Sequence, residues 1–309
     1  MKDQYEREIE YLRLSVTDLC NLRCRYCMSE DGVPLKTHED MFTFEDMLQA
    51  IEILSKHGIH KVRITGGEPL VKKDILSLLR QISLIDGIDE LCLTTNGILL
   101  KEYAYQLKDA HVQRINISLD TLNPRKYYDM TRYGHLQDVL EGIQIALQLF
   151  QVKINVVYMK GFNDDEVDDF INFANKYQIE VRFIELMPIG EAIHYQNYFV
   201  SLQDEFSNHP LLLPLDQHDG VARLYQIKGG NGKIGIINAM SHSFCHLCNR
   251  IRITADGKLK PCLFSFDEYD LRHLNKEDME NMIKEAIYYK PRCKEDEMKT
   301  TRTMNQIGG

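Results

Sequence analysis

A chain of 309 residues with 44% apolar and 27% charged content buries one large core, or one large and one small. Its formal net charge of −9 argues against a general nucleic-acid-binding surface, yet admits an anionic small ligand wherever local Arg and Lys outweigh the global field. With no run of 18 apolar residues and no apolar stretch in Met1–Glu10, neither a membrane span nor a signal peptide is expected, and the compartment expected is the cytoplasm.

From residue 11 to about 187, short runs rich in Val, Ile and Leu alternate with amphipathic stretches. Strands are predicted at 11–16, 60–65, 90–95, 112–118, 152–158 and 179–186, with the apolar continuity of buried parallel strands. Helices are predicted at 44–57, 72–85, 99–109, 135–150 and 164–177. Thr43 and the pair Asn163-Asp164 mark helix starts, and Gly58 stands where a C-terminal cap belongs. Six β–α repeats with right-handed crossovers give an α/β fold with a parallel sheet, and the pattern alone allows a doubly wound sheet or a partial barrel equally.

Near residue 190 the periodicity weakens, and short strands are expected over 196–240. Lys228–Gly235 lacks the spacing and the following helix of a phosphate loop, so it reads as a hairpin turn with Asn231-Gly232 as its tight pair. A charged helix is predicted over 276–289, and the chain divides into 1–195 and 196–309.

Eight cysteines in a chain expected to be cytoplasmic point to metal or redox chemistry rather than a disulfide framework. Cys20, Cys24 and Cys27 form C-x3-C-x2-C directly after the first strand. Three thiolates on one loop grip three irons of a 4Fe–4S cubane and leave the fourth iron open for chemistry, where an electron-transfer ferredoxin supplies a further Cys. The alternative is a structural zinc loop with His38 as the nearest candidate fourth ligand. Cys245, Cys248 and Cys262 form C-x2-C-x13-C, either a zinc ribbon completed by His242 or His246 or a second three-ligand 4Fe–4S site. Arg250 and Arg252 stand beside this group. A structural zinc knuckle has no need of them, whereas a cluster that holds an anionic substrate does. Cys92 reads as a small core residue, and Cys293 as a surface residue with no assigned role.

Unusual residues gather at the C-terminal ends of successive predicted strands. They are Arg63–Leu70 (R-I-T-G-G-E-P-L), Thr94–Gly97 (T-T-N-G), Ser118 in S-L-D, and Met187 in E-L-M-P. Paired glycines let a backbone approach a ligand closely, and Pro69 stiffens the exit. Arg13, Arg63 and Lys153 lie on strands where they can face a barrel lumen. A buried Arg there is costly without an anion, and Arg forks suit phosphate oxygens.

The C-x3-C-x-aromatic-C loop, with Tyr26 at its aromatic position, resembles the signature of the radical S-adenosylmethionine (SAM) enzymes. That resemblance favours a partial (βα)6 TIM-like barrel with its chemistry at the C-terminal strand ends, followed by a smaller C-terminal auxiliary-cluster domain. It implies that the open iron chelates SAM, and that an electron then cleaves it to methionine and a 5′-deoxyadenosyl radical.

The second cysteine group and the ending Met304–Gly309 narrow this to a resemblance, over almost the whole chain, to the GTP 3′,8-cyclase family of molybdenum cofactor biosynthesis. By that resemblance Cys20, Cys24 and Cys27 hold the SAM cluster, and Tyr26, Gly67, Ser118 and Met187 line the SAM site. Arg13, Arg63, Thr94, Lys153, Arg250, Ile251 and Arg252 contact GTP, the four arginines being the catalytic set. Cys245, Cys248 and Cys262 hold a second cluster whose open iron meets the guanine edge, and Gly308-Gly309 reaches into the active site. The implied reaction removes hydrogen from C3′ of the ribose and joins C3′ to C8 of guanine. The implied partners are an external low-potential electron donor, a second copy in a homodimer, and the cyclic pyranopterin monophosphate synthase that takes the product.

Two departures are visible. Val71–Asp74 carries lysines where family members often have arginines, and the C-terminal part is compact for the family. Two rivals are a radical SAM enzyme that modifies peptides and carries an auxiliary cluster, and a non-catalytic zinc or iron–sulfur protein.

Overall fold

A computed structural model describes residues 1–34, 36–294 and 300–308. In chain order the elements are β1 (Tyr11–Ser15), α1 (Phe44–Lys56), β2 (Lys61–Thr65), α2 (Ile75–Ile82), β3 (Glu90–Thr95), α3 (Leu100–Asp109) and β4 (Arg114–Ser118). Then come α4 (Pro124–Thr131), α5 (Leu136–Leu149), β5 (Gln151–Tyr158), α6 (Val167–Tyr177), β6 (Glu180–Glu185) and α7 (Leu202–Phe206). The last third holds β7 (Leu212–Asp219), β8 (Ala222–Ile227), β9 (Lys233–Ile237), β10 (Arg250–Ile253), β11 (Lys258–Lys260), β12 (Tyr269–Asp270) and α8 (Lys276–Tyr288).

Local chemistry explains where these elements begin and end. Thr43 caps α1 in a reciprocal box with Asp46, Met47, Ile51 and Leu54 bury its inner face, and Gly58 turns the chain out at φ +95°. α4 escapes the periodicity reading because it is short, yet Asn123 caps it and Pro124 opens it. α2 starts later than predicted, because a 3-10 turn over Pro69–Val71 and a left-handed Asp74 intervene. The expected cap at Asn163 is corrected. A 3-10 turn over Asp164–Glu166 precedes α6, and the buried Asn163 side chain instead joins the ends of β4 and β5. It donates to the Asp120 and Val157 carbonyls at 2.7 and 2.9 Å and accepts from Met159 N at 2.8 Å.

β1 to β6 run parallel in sequential order, the (βα)6 partial barrel. The chain beyond β6 extends both edges of this sheet. β9 adds parallel to β6 and carries β8 and β7, while β10 adds parallel to β1 and carries β11 and β12. The β8–β9 hairpin is as expected, but Gly229 at φ +70° makes its turn rather than Asn231-Gly232. The outer face of the strands packs under the helices in one large apolar cluster that includes Leu12, Val62, Ile115 and Ile154. Among the described residues no helix is long and apolar enough to cross a membrane.

Candidate active site

Side chains on alternate strand positions point to one face, so register decides what meets inside the barrel. Arg252, Arg13, Arg63, Cys92 and Arg114 fall opposite one another across β10, β1, β2, β3 and β4. Apart from Cys92, these residues line a cavity of about 330 Å³. Among its described lining residues ten are Arg or Lys and one, Asp219, is acidic, in a chain of net charge −9. Half-buried Arg13 lies beside buried Arg252, near Arg250. Burial first, and then Arg63 and Arg250, bring Arg13 down to about 10 against the opposing effect of Tyr11, and burial followed by Arg13 and Arg250 pushes Arg252 well down.

Polar groups on this face add to the cradle. Among the described residues Thr94 Oγ1 and Asn155 Oδ1 are buried without a hydrogen-bond partner, and Thr94 sits opposite the cavity-lining Asn116. Ile251 is fully buried between Arg250 and Arg252 on β10, opposite Leu12 of β1. Lys153 lines the cavity but is already paired, with Glu180 at 2.9 Å and with Asp219 at the β7–β8 turn. Arg182, opposite Asn155 of β5, pairs with the same two carboxylates. The sequence reading passed over Arg182, although strand alternation was enough to place it on this face.

Cys245, Cys248 and Cys262 open onto the same cavity. Ser243 Oγ donates to Cys245 Sγ at 2.9 Å. Burial alone would raise Cys248, but Lys290 and Arg250 bring it down to about 6. Burial pushes Cys262 up. Their loops are stapled from several sides. Buried Lys290 donates to the Arg250 and Pro261 carbonyls, Arg7 to the Cys245 carbonyl at 2.8 Å, and Lys294 to the Ala239 and Met240 carbonyls at 2.6 and 2.9 Å. Glu185, also passed over, accepts from Met240 N at 2.7 Å and Ser241 N at 2.8 Å. His242 and His246 are exposed.

Cys20, Cys24 and Cys27 occupy the loop that leaves the C-terminal end of β1. The turn after β2 grips this loop, with Gly67 N donating to the Thr17 carbonyl at 2.7 Å and Glu68 N to the Leu19 carbonyl at 2.8 Å. A Cβ on Gly67 would lie 2.2 Å from the Leu19 carbonyl oxygen, which is why the position is glycine. Fully buried Glu68 accepts from Thr95 Oγ1 at 2.8 Å and Asn96 N at 2.7 Å. Asn96 in turn reaches Asn21 and Cys20 Sγ, at 2.7 and 3.8 Å. Tyr26 donates to Asp120 at 2.7 Å, two residues beyond Ser118 on β4.

The three thiols feel one another's charge. Burial raises all three, Cys20 to about 11 and Cys27 to about 12. Among the described residues no three His, Cys, Asp or Glu side chains converge closely enough to hold a single ion. The His38 side chain lies outside the described residues. Two partly buried trios of soft donors, with hydrogen bonds aimed at Cys20 and Cys245, fit a polynuclear cluster with an open iron.

The C-terminal segment joins the two sides. The Gly308 carbonyl accepts from Arg13 Nη2 at 3.1 Å and Arg252 Nη1 at 3.0 Å. Gly308 has φ +68°, and a Cβ there would meet Thr65 Oγ1 at 2.2 Å. Gly309 lies outside the described residues. Met187 packs in a small apolar cluster with Ile307, Met304 and Cys262, and also lines the cavity.

A cysteine loop at the C-terminal end of β1 in a partial βα barrel is the arrangement of radical SAM enzymes, and residues 14–174 match the model of the Radical SAM superfamily. Residues 179–300 match that of Molybdenum Cofactor Synthesis C. Solved structures share the fold. Streptococcus suis SuiB bound to precursor peptide SuiA is 15% identical, with a TM-score of 0.67, over 89% of this chain and 65% of that longer one. Native anSMEcpe with bound AdoMet is also 15% identical, with a TM-score of 0.59, over 96% of this chain and 93% of that one.

The chain belongs to the radical SAM superfamily and, within it, to the family of the GTP 3′,8-cyclases. The enzyme of that name from Alkaliphilus metalliredigens is 48% identical over 100% of both chains, and the one from Moorella thermoacetica 42% identical over 100% of both. The chain is therefore an enzyme that uses an iron–sulfur cluster and SAM, which overturns the non-catalytic reading.

Proposed function

We propose that the chain cyclises GTP to (8S)-3′,8-cyclo-7,8-dihydroguanosine 5′-triphosphate, the first step of molybdenum cofactor biosynthesis. The observation that carries this reading is a cavity whose described lining has ten cationic side chains, one carboxylate and a cysteine trio. A triphosphate with about four negative charges relieves the mutual repulsion of its buried arginines. Residues 1–195 serve as the radical SAM barrel and 196–309 as the auxiliary part.

Cys20, Cys24 and Cys27 hold the first cluster, with Tyr26, Gly67, Ser118 and Met187 around SAM. When bound, the cluster and SAM would supply radical chemistry for removing hydrogen from C3′ of GTP, with reducing equivalents from an external low-potential donor. Cys245, Cys248 and Cys262 would hold a second 4Fe–4S cluster, which would supply an anchor for the guanine. Arg13, Arg63, Arg250 and Arg252 fix the nucleotide, with Lys153, Thr94 and the Ile251 main chain beside them. The buried walls keep water from the reacting carbons, and rigid strands hold C3′ and C8 in reach of each other. The product passes to cyclic pyranopterin monophosphate synthase.

The test is anaerobic. Reconstituted, reduced protein is incubated with GTP and SAM, and nucleotides are read by mass spectrometry. A SAM-dependent product with the mass of GTP but an altered fragmentation pattern is expected. Unmodified GTP beside accumulating 5′-deoxyadenosine would overturn the assignment.

A further inference from the structure

The described C-terminal residues from Thr300 to Gly308 are held by one side chain with unusual completeness. Arg302 donates from Nε and Nη2 to the two oxygens of Glu268, both at 2.6 Å, and from Nη1 to the two oxygens of Asp256 at 3.0 and 3.1 Å. All three side chains are largely buried, at 14%, 21% and 15% exposure. A planar guanidinium is the one side chain that satisfies two carboxylates in this way, since an ammonium acts as a point charge.

Each carboxylate has a second cation behind it. Lys36 lies 3.3 Å from Asp256 and 3.0 Å from Asp18, and fully buried Lys260 lies 3.1 Å from Glu268. Asp18 stands two residues before Cys20, and Lys260 two before Cys262. Arg302 thus sits midway in a line of ion pairs that starts at one cysteine loop and ends at the other.

Downstream of this clamp the path of the segment is set at each step. Gly190 gives it room, because a Cβ there would lie 2.7 Å from Thr303 Cα. Thr303 and Gln306 cap each other. Buried Asn305 donates to the Asp18 carbonyl at 3.0 Å. The Gly308 carbonyl then meets Arg13 and Arg252. Those two guanidiniums share one acceptor and lie beside each other, Arg252 buried and Arg13 half-buried.

We infer that Arg302 is a positioning residue that, through the Glu268–Asp256 clamp, holds the Gly308 carbonyl against Arg13 and Arg252 and so sets the orientation of both arginines toward the nucleotide. This rests on the functional reading above. Without the clamp the segment gains conformational freedom, the carbonyl withdraws, and the two arginines turn apart. The first cysteine loop loses its bond from Asn305 to the Asp18 carbonyl but keeps its supports from Gly67, Glu68 and Asp120. SAM cleavage therefore continues while its yield of cyclised nucleotide falls.

The test compares wild type with Arg302→Ala, Arg302→Lys and Glu268→Gln, all as anaerobically reconstituted full chains. Hydrogen exchange of the amides of residues 303–308 should quicken by about tenfold or more in Arg302→Ala. Cyclised product per 5′-deoxyadenosine should fall by about 10- to 100-fold. Arg302→Lys, with the charge but no fork, should lie between. Glu268→Gln, which loosens the clamp from the partner side, should reproduce the direction of Arg302→Ala and covers the case in which that variant misfolds. Wild-type exchange and wild-type coupling in Arg302→Ala and Glu268→Gln would overturn the inference. A wild type that cleaves SAM but makes no cyclised nucleotide, with exchange still quickened in the variants, would overturn the functional reading and leave the clamp standing.

Discussion

Around Cys20, Cys24 and Cys27 stand the carboxyl groups of Glu68 and Asp120 and the phenols of Tyr26 and Tyr127. Around Cys245, Cys248 and Cys262 stand Arg250, Arg252 and Lys290. The ligand type is the same and the charged neighbours differ: carboxyl groups with one arginine, Arg23, beside the first trio, and cations beside the second. In the first trio every thiol is pushed up, by burial and then by neighbouring negative charge. In the second, cations bring Cys248 down to about 6. SAM carries a sulfonium and an amino group, and GTP carries three phosphates. Under the proposed function, one barrel sorts a cation-bearing ligand from an anionic one by the charges set at its two ends.

Substitution of the trios breaks this division most completely. Cys24→Ser is expected to abolish SAM cleavage, and Cys262→Ser to leave some cleavage but no cyclised nucleotide, both read from 5′-deoxyadenosine and nucleotide yields in one anaerobic assay. Full cyclisation by Cys262→Ser would remove the substrate-anchoring role of the second trio. Next in size is Arg252→Ala. It takes a buried cation from the anion side, so GTP should bind about 100-fold more weakly while SAM affinity holds. Equal losses in the two titrations would mark misfolding instead.

Asp219 is the one carboxylate among the described residues of the cationic cavity. Lys153 and Arg182 hold it down at about 2 against the opposing effect of burial. Asp219→Asn frees both cations for the triphosphate, and GTP should bind about three- to tenfold more tightly. Weaker binding would mean that Asp219 orders the two cations rather than competing for them.

The smallest effect concerns pH. Burial holds Glu68 up at about 7 and Asp120 up at about 6. A cationic ligand beside them favours their ionised forms, so binding releases protons. SAM affinity should therefore rise between about pH 6 and pH 7, by about threefold, in calorimetric titration. A flat profile would place the carboxylates away from the ligand.

Much of this was readable from local sequence. Cysteine spacing, the alternation of Arg13 and Arg63 along their strands, and the glycines beside Glu68 are properties of a few neighbouring residues. What escaped depends on contacts distant along the chain. Nothing near residue 153 shows that a hairpin 66 residues on will bring Asp219 to Lys153. Arg302 looks like a surface cation until Asp256 and Glu268 close on it. Asn163 reads as a cap, because the carbonyls it serves on β4 and β5 come together only in the sheet. The flanking of the barrel by β9 and β10 was hidden for the same reason, since strand pairing at either edge leaves no mark on the strand itself.

The most direct measurement is a pair of equilibrium titrations of the anaerobic protein, one with GTP and one with SAM, from about 50 mM to about 500 mM salt. The expected result is a GTP dissociation constant that climbs by about tenfold or more while that of SAM changes by about twofold or less. Parallel salt dependence for the two ligands would contradict a barrel that sorts them by the charged neighbours at its two ends.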